Sequence, residues 1–161
     1  MFTTIVCFVE RRCCSMPEAD CTGPLPHRET ARMVVRPLRP DFVFMTGWDV
    51  VLVPMLLAGC QGGINATSGV VPELTRAIYD LTMAGRIDVA YRLQYTLLRL
   101  FDTAFAAGDF PDGFRLAASL RGFDFGVGRQ PLTAEQVAKL SAARQLIDGQ
   151  IRDALTDLGA A

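Results

Sequence analysis

The sequence predicts an α/β fold that is mostly helical by residue count. Three observations carry this. Residues 42–74 read as strand, glycine turn, apolar helix, glycine turn, strand and proline-started helix, and two βα units in succession build a parallel sheet or barrel. Residues 86–107 hold one continuous apolar stripe at helical spacing. Residues 134–158 form a second long helix, announced by Thr133 and Gln136 in capping-box spacing.

The totals set limits. At 161 residues one domain with a real core is expected. The net charge of −1 gives no electrostatic case for nucleic acid or an anionic membrane surface. The longest apolar run, Val50 to Gly59, is too short to span a bilayer and contains Pro54. The N-terminus has no secretory pattern, since Glu10-Arg11-Arg12 follows the apolar run instead of preceding it. The expectation is a cytoplasmic protein.

Four of the five cysteines lie within the first 21 residues: Cys7, Cys13, Cys14 and Cys21. None forms a Cys-x2-Cys pair, and His27 is the sole histidine, so neither a metal site nor a cofactor is expected. The single lysine, Lys139, falls in the last helix, which leaves almost no candidate for lysine-based covalent chemistry.

In chain order, residues 1–26 read as an irregular leader broken by Pro17, Gly23, Pro24 and Pro26. Residues 27–38 could form a short helix ended by Pro37. Phe42–Met45 is the first strand, apolar as if covered on both faces. Asp49 stands where it could cap the next helix, about Val50 to Ala58. Pro54 within that helix requires a kink or a later start. Gly59 stops the helix. Gly62-Gly63 permits close backbone approach, and Ile64–Thr67 is the second strand. Pro72 opens a helix to about Met83, which Gly85 ends.

In the helical part, Val89 or Ala90, Leu93, Leu97, Phe101 and Ala104 or Phe105 make the stripe of residues 86–107. Phe114 to Leu120 is a short helix stopped by Gly122. The last helix repeats Val137, Leu140, Ile147, Ile151, Ala154 and Leu158. The expected organisation is a leader at 1–26, βα units at 27–84 and a helical region at 85–161.

Thr46-Gly47-Trp48-Asp49, Gly59-Cys-Gln-Gly-Gly-Ile-Asn-Ala-Thr67 with Gly69-Val-Val-Pro72, and Arg129-Gln-Pro-Leu132 occur in that order. Together they resemble the C-terminal half of the dihydrodipicolinate synthase / N-acetylneuraminate lyase family, over residues 27–158. Such proteins are (β/α)8 barrels with added helices. The resemblance implies the last two βα units of a TIM barrel followed by a C-terminal helical bundle. It also implies Schiff-base aldolase-type lyase chemistry on pyruvate or another 2-oxo acid. The family's seventh strand ends in Ser/Thr-Gly-x-Asp, here Thr46 to Asp49. Its eighth usually reads Gly-x-Ile-Ser with a following Asn, and here Asn65 replaces the Ser and Gly69 the Asn. By the resemblance Gly47 and Ile64 lie at the barrel mouth, and Asn65 and Thr67 could add polar contacts to a bound keto acid.

The family's reactive lysine ends strand six, upstream of the matching segment, so no catalytic residue is assigned. Tyr79, Tyr91 and Tyr95 lie on helices and read as packing or surface residues. The first functional expectation is a truncated lyase-family member, inactive alone. The second is a non-catalytic interaction module, a half-barrel that self-associates as a homo-oligomer or pairs with a complementing chain. The third is a helical domain whose βα match is coincidental.

Overall fold

The computed structural model describes residues 43–126 and 128–159. The leader at 1–26, its cysteines, His27, the helix expected at 27–38 and Phe42 lie outside the described residues. The first element, β1 (Met45–Thr46), pairs in parallel with β2 (Gly62–Gly63), with Met45 opposite Gly62 and Thr46 opposite Gly63. Between them run a 3-10 turn (Asp49–Val51) and helix α1 (Leu52–Leu57). A second 3-10 turn (Ala66–Gly69) leads to α2 (Pro72–Met83), α3 (Ile87–Ala106), α4 (Asp112–Leu120) and α5 (Ala134–Gly159).

Pro54 is accommodated by the later start. α1 begins at Leu52, so Pro54 sits in the first turn, where its missing N–H has no intrahelical partner to lose. Gly59 closes α1 with φ 106°. Cys60 N–H reaches Met55 O and Gly59 N–H reaches Leu56 O, each at 3.0 Å, so a left-handed residue satisfies two terminal carbonyls. Gly85 closes α2 in the same way, with Arg86 N–H on Leu81 O at 2.9 Å and Gly85 N–H on Thr82 O at 3.1 Å. α4 ends with the equivalent pair of bonds at Gly122 and Phe123.

Two expectations about the strands are corrected. The second strand is Gly62–Gly63, and of the expected Ile64–Thr67 strand, Ala66 and Thr67 lie in a 3-10 turn. Asp49 causes this by drawing in the N–H groups of Ala66 and Thr67, which are then lost to a ladder. The expected close approach of backbone at Gly62-Gly63 is met by side chains instead: a methyl group on Gly62 would stand 2.8 Å from Met45 Cε, the mobile tip of its side chain. The first strand, expected at Phe42–Met45, is Met45–Thr46, and Val43 lies before it and is exposed.

Above the strands, the helices share one buried cluster. Leu52, Val53 and Leu56 of α1 meet Leu74 and Ile78 of α2, and Leu93, Leu97 and Leu100 of α3. α3 is the spine, buried along the expected stripe and additionally at Gln94 and Leu100. α5 runs antiparallel to it. Thr96 Oγ1 donates to Asp157 Oδ2 at 2.7 Å towards one end, and Leu140 lies against Gly108 at the other.

The capping box forms as read. Gln136 N–H donates to Thr133 Oγ1 at 3.2 Å, and Thr133 N–H donates to Gln136 Oε1 at 2.8 Å. Val137, expected in the core stripe of α5, is 51% exposed. α5 has 26 residues against the 20 of α3, and its first turn overhangs the end of its partner. Among the described residues no helix is long and apolar enough to cross a membrane.

Candidate functional site

Residues that follow two parallel strands lie at the strands' C-terminal ends, where α/β proteins hold their ligands. Here those residues are Gly47 to Asp49 after β1 and Ile64 to Thr67 after β2. They frame a hollow of about 350 Å³, lined by Gly47, Trp48, Asp49, Ile64, Asn65, Ala66, Phe101, Phe105 and Phe110. Three of the four expected site residues, Gly47, Ile64 and Asn65, line it together.

Thr67, the fourth, is fully buried beneath the lining, and its hydroxyl donates to Asp49 Oδ1. Asp49 is 2% exposed. Its Oδ1 also accepts from Thr67 N–H at 2.8 Å, and Oδ2 accepts from Ala66 N–H at 3.1 Å. The aspartate therefore caps the turn of the other βα unit, not the helix that follows it.

From the opposite side, Gln94 of α3 fixes the main chain of the same loop. Its Nε2 donates to Asp49 O at 2.8 Å, and its Oε1 accepts from Val53 N–H at 3.2 Å. A buried side-chain amide thus satisfies the orphan N–H of Val53 at the start of α1 and adds a second donor to Asp49 O, which already accepts from Leu52 N–H. Asp49 and Gln94 together make the strand ends one braced unit.

Asn65 folds back over Gly63, where a methyl group would stand 2.0 Å from Asn65 Oδ1. Asn65 Nδ2 is buried without a hydrogen-bond partner among the described residues. The outer wall is aromatic. Trp48 meets Phe101 edge-on with centroids 5.6 Å apart, Phe105 stacks on Phe101 at 5.7 Å, and Phe110 meets Phe114 edge-on at 5.7 Å.

Sequence reading missed Gln94, Trp48 and the three phenylalanines of this wall. A signal existed for Gln94: with Ala90, Leu97 and Phe101 it occupies core-facing spacing on α3. Cys60 is buried, and that burial pushes its thiol above the ordinary value, which keeps it protonated and inert. Lys139 lies on α5, exposed and paired with Glu135 at 3.0 Å, and does not line the hollow. A second hollow, about 410 Å³, lies between α3 and α5 beside Arg99, Gln150 and Asp153, away from the strand ends.

Comparison with known proteins then decides the family, because residues 20–150 match the sequence model of the dihydrodipicolinate synthetase family. The chain belongs to the dihydrodipicolinate synthetase family. An uncharacterized DapA-like lyase of Thermofilum pendens is 34% identical over 103 residues, which are 63% of this chain and 34% of that protein. A DapA-like lyase of Halobacterium salinarum is 36% identical over 93 residues, 58% of this chain and 30% of that protein. The chain thus spans about a third of the length of these relatives.

Among solved structures, a variant of the 2-keto-3-deoxygluconate aldolase of Sulfolobus solfataricus superposes with TM-score 0.62 at 24% identity, over 76% of this chain and 42% of that one. The sialic acid aldolase of Ruminococcus gnavus gives TM-score 0.66 at 21% identity, over 84% and 45%. N-acetylneuraminate lyase from Fusobacterium nucleatum, complexed with pyruvate, gives 0.59 at 24%, over 70% and 39%. These are TIM-barrel aldolases, and at such identities the likeness is one of fold over part of each chain.

Proposed function

We propose that this family member supplies the last two βα units of a TIM barrel, followed by a helical bundle, and forms one wall of a 2-oxo-acid pocket. The observation that carries the reading is the convergence of Gly47, Ile64 and Asn65 on one hollow at the C-terminal ends of two parallel strands. In this reading Gly47 and Ile64 bring backbone close to the keto acid, and the buried amide nitrogen of Asn65 is a donor for one of its oxygens. Thr67 acts from beneath, through Asp49.

Aldolases of the Schiff-base type condense a lysine amine with the ketone carbonyl, release water, and use the iminium as an electron sink for carbon–carbon bond making or breaking. The lining residues include no lysine, and Lys139 stands elsewhere on α5. We therefore propose that these residues alone are inactive and that the chemistry needs a lysine from elsewhere. Incubation with labelled pyruvate and borohydride tests this. No label should be fixed, and a stable adduct on the isolated chain would overturn the inactivity.

One observation favours a second reading, an interaction module that self-associates or joins a complementing chain. Val43, Leu57 and Ile64 are exposed on or beside the two βα units, and Ile64 is 71% exposed directly after β2. Among the described residues the ladder has two strands, and no further strand pairs with either outer edge. Sedimentation or size-exclusion mass above that of one chain is expected, and a clean monomer would remove the reading.

A further inference from the structure

We infer that the hollow at the strand ends selects a 2-oxo acid whose remainder is apolar, an alkyl- or aryl-substituted keto acid, over a polyhydroxylated sugar acid. This rests on the 2-oxo-acid reading above and deepens it.

The first argument is the count of free polar partners. Asp49 and Asn65 are the lining residues with hydrogen-bonding groups on flexible polar side chains. The Asp49 carboxylate already accepts from Ala66 N–H, Thr67 N–H and the Thr67 hydroxyl. Three main-chain donors at the lining are engaged too: Trp48 N–H on Thr46 Oγ1 at 3.3 Å, Ile64 N–H on Thr46 O at 2.8 Å, and Ala66 N–H on Asp49. Among the buried side-chain atoms of the lining Asn65 Nδ2 is the one without a partner, and the Trp48 indole N–H adds one donor on the aromatic wall, too few for the hydroxyls of a sugar chain. A sugar acid brings a hydroxyl on nearly every carbon, and each one desolvated without a partner costs about 1–3 kcal/mol. The lining includes no arginine, lysine or histidine, so a phosphorylated tail finds no counter-charge there.

The second argument is what the wall does offer. Trp48, Phe101, Phe105 and Phe110 present ring surface to one space, and Phe110 is 62% exposed at its rim. That ring has apolar area still to bury, and a branched alkyl or aryl group is the complement that buries it. A hollow of about 350 Å³ has the size of a small-molecule site.

Trp48 is the only tryptophan of the chain, so its fluorescence reports occupancy directly. The full chain is titrated with pyruvate, 4-methyl-2-oxopentanoate, 2-keto-3-deoxygluconate and, lacking the keto group, 4-methylpentanoate. The expected result is that 4-methyl-2-oxopentanoate binds about tenfold tighter than pyruvate, because its extra carbons are buried against the rings. The sugar acid should bind no tighter than pyruvate. Phe110→Ala should shrink the tenfold ratio several-fold, and Phe110→Tyr, which keeps the ring, should retain it, with far-UV circular dichroism reporting the fold of both.

Pyruvate or the sugar acid binding as tightly as 4-methyl-2-oxopentanoate overturns the apolar selection and leaves the 2-oxo-acid reading standing. Equal binding of 4-methylpentanoate overturns the 2-oxo-acid reading, and the inference built on it, while leaving an apolar pocket. An unchanged ratio in folded Phe110→Ala overturns the role of the aromatic rim.

Discussion

Thr67 N–H lies 2.8 Å from Asp49 Oδ1, a buried bond that ties the end of one βα unit to the end of the next. The same carboxylate takes Ala66 N–H and the Thr67 hydroxyl. Two stretches eighteen residues apart are therefore positioned by one side chain.

Asp49→Asn should lower stability by about 1–3 kcal/mol, because an amide NH2 must then face N–H donors that had a carboxylate oxygen. Thr67→Val should cost less, since both main-chain bonds survive. Urea unfolding with an unchanged m-value measures both. An Asp49→Asn protein as stable as wild type would remove the carboxylate from this role.

Gln94→Leu keeps the size of the side chain and deletes its two bonds, leaving Val53 N–H unpaired and Asp49 O with the Leu52 N–H alone. A loss of about 1–3 kcal/mol is expected by the same unfolding measurement. Gln94→Glu retains an acceptor for Val53 but sets a second oxygen against Asp49 O, and should be at least as damaging at neutral pH.

Gly113→Ala probes where α4 crosses α3. A methyl group there would stand 1.8 Å from the carbonyl oxygen of Ala104, a backbone atom that cannot rotate away. The helices must separate, at about 1–3 kcal/mol. A thermal midpoint equal to that of wild type would show that the crossing has slack.

Cys60 gives a pH dependence with a definite sign. Burial raises the folded thiol above its ordinary value, so the unfolded chain loses this proton first as pH rises. The stability it contributes is complete below about pH 8.5 and declines above that until the folded thiol ionises. Cys60→Ala should flatten this decline in a series of thermal midpoints. Parallel curves for the two proteins would exclude Cys60 as its source.

What the sequence revealed was local. Gly59, Gly85 and Gly122 stop helices through bonds made within six residues, and Thr133 with Gln136 caps a helix through bonds three residues apart. Pro72 at the first turn of α2 is read equally directly. The misread strand at 64–67 has a distant cause, since nothing within Ile64-Asn-Ala-Thr shows that a carboxylate seventeen residues earlier holds the chain in a turn. The wall of the hollow was hidden for the same reason. Trp48 and Phe101 meet at 5.6 Å although 52 residues intervene, and only the helix packing brings them together. Gly47, Ile64 and Asn65 were legible because they flank the strand ends in sequence as well as in space.

The amide of Gln94 also bears on how the molecule opens. It projects from the most buried face of α3, so the strand-end loop is fastened to the interior of the helical layer and not to its surface. Opening the mouth of the hollow then requires breaching that interior, which merges two would-be separate foldons into one. Native-state hydrogen exchange should find the amides of Val53 and Leu97 released with similar free energies, and a ligand entering the hollow would meet a preformed shape instead of one assembled around it.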